Sequence, residues 1–230
     1  MANKRSLSEQ YRARPGRSVE ARAEHVTWQP TLLDAAPAGS EIDPLFTAAR
    51  RIRLDRTAWV EHVPDWLSAP GALFELLVAV APWNRRTVPM YGRMVEEPRL
   101  TAWYGSGPHD ASAPPILGQM ADALSARFAR EFDSVGAALY RDGQDSVAWH
   151  GDRIDPEIVE PVVAIASLGS RRTLRMRPKG TSARGYARAF TLLPGDLFVM
   201  GGMSQRTWEH SVPKVAYAGP RLSLQFRHSR

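Results

Sequence analysis

From residue 134 onward the chain is a succession of short β-type runs separated by turn signals, and no other feature constrains the fold as much. The runs are SVGAALY, VAWHGD, VVAIASL, RTLRMR, AFTLL, LFVM, TWEHSV and RLSLQFR, with RDGQD and PGD among the turns between them. Short strands at this density predict a sandwich or barrel. Two helices are expected ahead of them. One has Pro70 in its first turn and Ser68 as its expected N-cap; Leu73, Phe74, Leu76, Leu77 and Val80 give it an apolar face, and Pro82 ends it. The other follows Pro115, where Ile116, Leu117, Met120, Leu124, Phe128 and Phe132 recur at helical spacing. Helices followed by many strands predict an α+β, mainly β fold with the helices packed on one sheet. The 230 residues suffice for one domain with a sizeable core.

Residues 1–40 read as a flexible basic arm and linker, carrying Lys4, Arg5, Arg12, Arg14, Arg17 and Arg22 without apolar periodicity, so the folded domain is expected over 41–230. The segment RRIRLDRTAWVEHVPDWL suggests one or two strands, and residues 83–114 read as irregular but aromatic. No stretch approaches the roughly 20 apolar residues of a membrane span. The N-terminus has no apolar secretory core, so a cytoplasmic chain is expected. The absence of cysteine excludes disulfides, thiolate metal sites and cysteine nucleophiles, and any metal site must use His, Asp or Glu. A net charge of +6 suits a polyanionic partner such as nucleic acid, and suits plain solubility equally well.

In VAWHGD, His150 and Asp152 stand two apart, and on a strand such residues point to the same face. His210, in TWEHSV on a late strand, offers a third ligand. Two imidazoles and one carboxylate on one side of a metal suit non-haem Fe(II) with open positions for a cosubstrate and O2. Alone, an HxD pair is equally a core histidine beside a turn aspartate. The terminal strand gives it company. Arg221, Ser223, Gln225 and Arg227 share one face, with Leu222, Leu224 and Phe226 on the other. Two arginines on a covered face need anionic partners, and a dicarboxylate would supply them. On an edge strand they would simply be solvated.

Together these residues resemble the AlkB family of Fe(II)/2-oxoglutarate dioxygenases: Tyr140 in ALYRDG, His150-Gly-Asp152, His210 in WEHSVPK, and Arg221-Leu-Ser-Leu-Gln-Phe-Arg227. The similarity extends in matching order from about residue 55, through VEHVPDWLSAPGALFELLVAVAPW, EPRLTAWYG, VVAIASLGSRRTLRMR and LLPGDLFVMGG. It implies a double-stranded β-helix, or jelly roll, over 134–230. It also implies that His150, Asp152 and His210 are the iron ligands at the catalytic centre. Arg221 would pair with the distal carboxylate of 2-oxoglutarate, Tyr140 would donate to that carboxylate, and Arg227 would lie near the carboxylate that chelates iron. Two positions depart from the family pattern. Ala138 stands where an Asn usually helps hold 2-oxoglutarate, and Ile154 where an Asp or Glu usually contacts the base, with Asp155 one step later.

The implied reaction is oxidative demethylation of N-alkylated bases in DNA or RNA by a monomer, releasing formaldehyde, succinate and CO2. A base inside a duplex has to be extruded first, and an extruded base needs π faces around it. Trp103, Tyr104 and Tyr91 are the candidates, with Met90 at their edge; each also suits a core. All lie in 83–114, which resembles the family's nucleotide lid. Asp155 and Arg99 complete the candidate substrate contacts. Arg85, Arg86 and the run Arg171, Arg172, Arg175, Arg177 and Lys179 suit either a phosphate backbone or water. Ala138 and Ile154 keep a second substrate class open, a protein side chain or a small molecule.

Overall fold

The computed structural model describes residues 17–23, 26, 39–90, 92–152, 154–181 and 187–229. In chain order, and among the described residues, the elements are β1 (Arg17–Glu20), β2 (Arg50–Arg53), β3 (Ala58–Val63), α1 (Pro70–Val80), β4 (Asn84–Met90), β5 (Arg93–Glu96), β6 (Leu100–Trp103) and α2 (Pro115–Phe128). There follow β7 (Ser134–Tyr140), β8 (Val147–His150), β9 (Val163–Gly169), β10 (Arg172–Pro178), β11 (Arg188–Leu192) and β12 (Leu197–Gly202). The short α3 (Ser204–Thr207), β13 (Trp208–Val212) and β14 (Arg221–Arg227) complete the set.

All pairings are antiparallel. The larger sheet runs β1-β4-β6-β7-β14-β9-β12-β3-β2, with β5 folded back on β4, and the smaller runs β11-β10-β13-β8. From β7 to β14 the chain passes back and forth between the two sheets, and each long β run anticipated in the sequence is there. Side-chain alternation then divides the interior in two. The outer face of the large sheet carries Ala137, Leu139, Ala164, Ala166, Leu222, Leu224 and Phe226, packed against Leu73, Phe74 and Leu77 of α1 and Leu117, Met120 and Leu124 of α2. On the inner face, Val163, Ile165, Phe198 and Met200 meet Leu174, Met176 and Leu192 of the small sheet. Helices on one side of a mainly β fold is the expected α+β arrangement.

Four expectations are corrected. Residues 83–114 are not irregular throughout: β4, β5 and β6 extend the large sheet past β7, beginning at the Trp103–Gly136 and Thr101–Ala138 rungs, while 104–114 hold no strand or helix. The basic arm is not free throughout, because Arg17–Glu20 pairs with Asn84–Thr87 of β4; Lys4, Arg5, Arg12 and Arg14 lie outside the described residues. Ser68 does not cap α1. Its hydroxyl closes on Glu41, accepting from the backbone N–H and donating to the carbonyl, and Ala69 enters the helix in a left-handed conformation with φ 43°. The second helix stops at Phe128, where Ala129 turns left-handed, so Phe132 joins the core from beyond it.

Gly202 ends β12 at φ +60°, and a Cβ there would sit 2.1 Å from the Thr57 carbonyl oxygen. Gly202→Ala therefore meets both backbone strain and a clash with backbone. Left-handed strain costs about 1–3 kcal/mol for a non-glycine residue, and the urea midpoint should fall accordingly; an unchanged midpoint would contradict the packing described.

Candidate metal and cosubstrate site

The strand arithmetic of the C-terminus decides where the charges go. Arg221, Ser223, Gln225 and Arg227 all point to the inner face, where they line a cavity of about 390 Å³ with Tyr140, Ala138 and Gly136 of β7 and His150, Asp152 and His210. β14 lies between β7 and β9, which makes it a central strand, and the edge-strand reading of its arginines is excluded.

His150 ends β8 directly opposite His210 of β13, and their rings lie 4.2 Å apart between centroids. Asp152 follows on the loop leaving β8. The ligand atoms of His150, Asp152 and His210 lie within 4.8 Å of one another, a group able to hold a metal ion. The atoms around them prepare that role. His150 Nδ1 is 2.9 Å from the Ala148 carbonyl, which fixes that nitrogen as donor and leaves Nε2 as the ligand. Arg227 donates to Asp152 Oδ1 from Nη2 at 2.5 Å and from Nε at 3.2 Å, leaving Oδ2 facing His210 Nε2 at 3.8 Å. The Gln205 side-chain oxygen accepts the Asp152 backbone N–H, and Arg206 donates to the carbonyls of Ile154, Asp155 and Ile158, pinning the loop.

Burial alone would raise the Asp152 carboxyl, but the Arg227 guanidinium, followed by His210 and His150, holds it well below the usual carboxylate range. Burial, seconded by His150, pushes His210 down to about 3 against the opposing pull of Asp152. An anionic carboxylate and a neutral imidazole are the forms in which these side chains bind a metal. The donor set fits divalent iron with open positions.

At the other end of the cavity, Arg221 is 1% exposed. Its Nε donates to Ser167 Oγ at 3.1 Å, and its Cζ lies 5.3 Å from the centre of the Tyr140 ring, its partner across β7. Burial lowers the Arg221 guanidinium to about 10, although Tyr140 pulls the other way. The Ser167 hydroxyl meets one donor of Arg221 without cancelling its charge.

The third wall comes from the extension of the large sheet: Asn84, Arg86, Glu97, Arg99, Thr101 and Trp103. Trp103 and Arg99 thus lie where substrate contacts were expected. Tyr104 does not, because the next residue along a strand faces the other way; it is 1% exposed among the helix-facing core residues. Asp155 is not in the cavity either; its carboxylate accepts the Glu157 N–H within its own turn. Ile154 packs in the core between the sheets. Met90 closes β4 opposite Arg93 by its backbone, and Tyr91 lies outside the described residues. In the basic run, Arg172 is buried and bonded to carbonyls, and Arg177 pairs with Glu209. Arg227, assigned to the cosubstrate, rests on the metal-side carboxylate Asp152. Ser167, Gln205 and Gly136 were missed. Ser167, a hydroxyl inside the apolar run VVAIASL, was the readable signal.

Residues 63–230 match the profile of the 2OG-Fe(II) oxygenase superfamily. The human alpha-ketoglutarate-dependent dioxygenase alkB homolog 3 is 32% identical over 180 residues, covering 71% of this chain and 60% of that protein. The DNA oxidative demethylase ALKBH2 of Arabidopsis thaliana is 32% identical over 191 residues, covering 67% and 60% respectively. The chain thus spans about three fifths of the length of the curated relatives it matches. The solved structure of OsALKBH1 aligns with a TM-score of 0.50 at 16% identity, covering 74% of this chain and 97% of that one, a likeness of fold.

The depressed His210 has a consequence for the metal-free protein. Above pH 6.5 both folded and unfolded forms carry it neutral. Below that, the unfolded chain takes up a proton that the folded protein refuses until about pH 3, so stability falls with acidification across this window. Denaturation of chelator-treated protein at pH 7.5 and pH 5 should show the loss, and His210→Gln should flatten it; equal slopes in the two proteins would contradict the assignment. With the triad, the buried arginines and the strands that carry them all inside the matched region, the chain belongs to the 2OG-Fe(II) oxygenase superfamily and, within it, to the AlkB family.

Proposed function

We propose that the chain is an Fe(II)- and 2-oxoglutarate-dependent dioxygenase that demethylates N-alkylated bases in DNA or RNA, acting as a monomer. The observation that carries this is a single cavity in which the His150–Asp152–His210 group and the Arg221–Tyr140 rung sit at separate positions, walled by Trp103. The alternation of β7 to β14 between sheets ordered β7-β14-β9-β12 and β11-β10-β13-β8 supports reading these eight strands as a double-stranded β-helix.

Fe(II), 2-oxoglutarate and O2 together supply an oxidation in which 2-oxoglutarate loses CO2 to become succinate and one oxygen atom enters the N-alkyl carbon. The hydroxymethyl amine so formed releases formaldehyde and the restored base. The chain's residues bind and orient. Arg227 keeps Asp152 anionic and fixes which of its oxygens faces His210. Arg221 and Tyr140 take the distal carboxylate. Trp103 offers a π face to a flipped base. Gly136 makes room for it, since a Cβ there would lie 2.7 Å from the indole ring.

A second reading, the same chemistry on a protein side chain or small molecule, draws support from Ile154, which is buried in the core where the family pattern has a base-contacting carboxylate. Incubation with Fe(II), 2-oxoglutarate and methylated oligonucleotides separates the two. Formaldehyde and succinate in equal amounts, dependent on the methylated base, are expected, and His150→Ala should abolish both. Succinate formation with no loss of the methyl group would overturn the nucleic-acid assignment and leave the oxygenase.

A further inference from the structure

Arg172, the first residue of β10, is 4% exposed, yet its side chain makes no bond to a carboxylate among the contacts described. Nη1 donates to the Asp142 carbonyl at 2.9 Å; Nη2 donates to the Asp145 carbonyl at 2.9 Å and the Pro213 carbonyl at 2.7 Å. One guanidinium from the small sheet thereby ties the β7–β8 turn to the segment after β13. The fork geometry of arginine allows this, whereas a lysine ammonium is a point charge without a planar fork. The turn is also closed internally. Asp145 accepts Arg141 Nε and Nη2, and Asp142 accepts the N–H groups of Gln144 and Asp145.

Tyr140 is the last residue of β7 and leads directly into that turn. Two buried cations approach its ring, with Arg221 Cζ 5.3 Å and Arg172 Cζ 5.6 Å from the centroid. The Asp145 carboxylate is taken up by Arg141. Desolvation draws both Arg172 and Arg221 down, and Arg172 acts on Arg221 as a like charge. Two like charges held out of water around one ring are unfavourable until an anion arrives.

We propose that Arg172 is a positioning residue that holds Tyr140 and keeps the Arg221 end of the cavity cationic, so that the site selects a 2-oxo acid bearing a second carboxylate. This rests on the cosubstrate reading above and deepens it. Arg172 itself is outside the cavity lining and acts through Tyr140 and the charge of its surroundings.

The test is calorimetric binding with Mn(II) in place of iron and without turnover, comparing 2-oxoglutarate with 2-oxobutyrate, which lacks the distal carboxylate. Arg172→Gln should weaken 2-oxoglutarate by about tenfold or more, a loss of the size of one charge-assisted contact. It should change 2-oxobutyrate and Mn(II) binding little. Arg172→Lys, which keeps the charge without the fork, should fall between Arg172→Gln and the wild type, and carries the comparison alone if Arg172→Gln does not fold. Variants that keep the wild-type preference for the dicarboxylate, or that weaken both acids alike, overturn the role of Arg172 and leave the cosubstrate reading standing. A wild-type protein that binds the two acids equally overturns both.

Discussion

Strand β14 lies between β7 and β9 and is buried along most of its length, and only one of its faces can be filled with hydrocarbon. On the helix side, Leu222, Leu224 and Phe226 interleave with α1 and α2 in an ordinary apolar core. On the other side the same strand carries Arg221, Ser223, Gln225 and Arg227, which no packing of aliphatic groups could satisfy. Removing a guanidinium from water costs several kcal/mol unless its charge and donors are met. The two ends of β14 meet that demand differently. Arg227 finds Asp152, a partner that belongs to the chain. Arg221 finds the Ser167 hydroxyl and the Tyr140 ring, which satisfy donors without cancelling charge. One end of the cavity is therefore internally compensated, and the other is set up for an anion from outside.

The compensated end also explains how an aspartate on a loop becomes a fixed ligand. Asp152 lies beyond the last residue of β8, where a carboxylate would ordinarily wander in solvent. Arg227 grips one oxygen from the large sheet, Gln205 receives its backbone N–H from the short α3, and Arg206 ties the following carbonyls. His150 and His210 need no such bracing because they face each other across paired strands. Arg227 cannot be removed without stranding a buried carboxylate, so its loss would be felt in the metal site and in stability together.

What could be read from the sequence followed from period-two alternation in long, buried strands. RLSLQFR separates an apolar from a polar face, and with it come the cavity positions of Arg221 and Arg227; Tyr140 comes with the family resemblance. Alternation is weak where strands are exposed, and β4 and β5, with NRRTVPM and RMVE, offered charges where a core strand would show hydrocarbon. They read as loop. β1 escaped for a different reason: its partner is more than sixty residues away, and four residues carry no local pattern. Trp103 and Tyr104 could not be separated without register, since only the Trp103–Gly136 rung says which of two adjacent rings faces the cavity. Arg172 lay inside a basic run that looked solvated, and no local signal distinguishes a surface arginine from one that binds three carbonyls.

The departures from the family pattern then acquire physical content. Ala138 is opposite Ser223 on β14 and Thr101 on β6, so three small residues share one rung of the cavity floor. Gln225 Nε2 donates to Ser223 Oγ at 2.6 Å. Ile154 spends its position anchoring the loop beyond Asp152 in the core, which removes it from substrate contact. On the proposed function, discrimination between substrates falls to the opposite wall, where Asn84, Arg86, Glu97, Arg99 and Thr101 accompany Trp103. That wall belongs to the strands whose outer edge is completed by Arg17–Glu20. Arg17–Glu20, far from the triad in sequence, is thus joined through β4 to the sheet extension that lines the cavity.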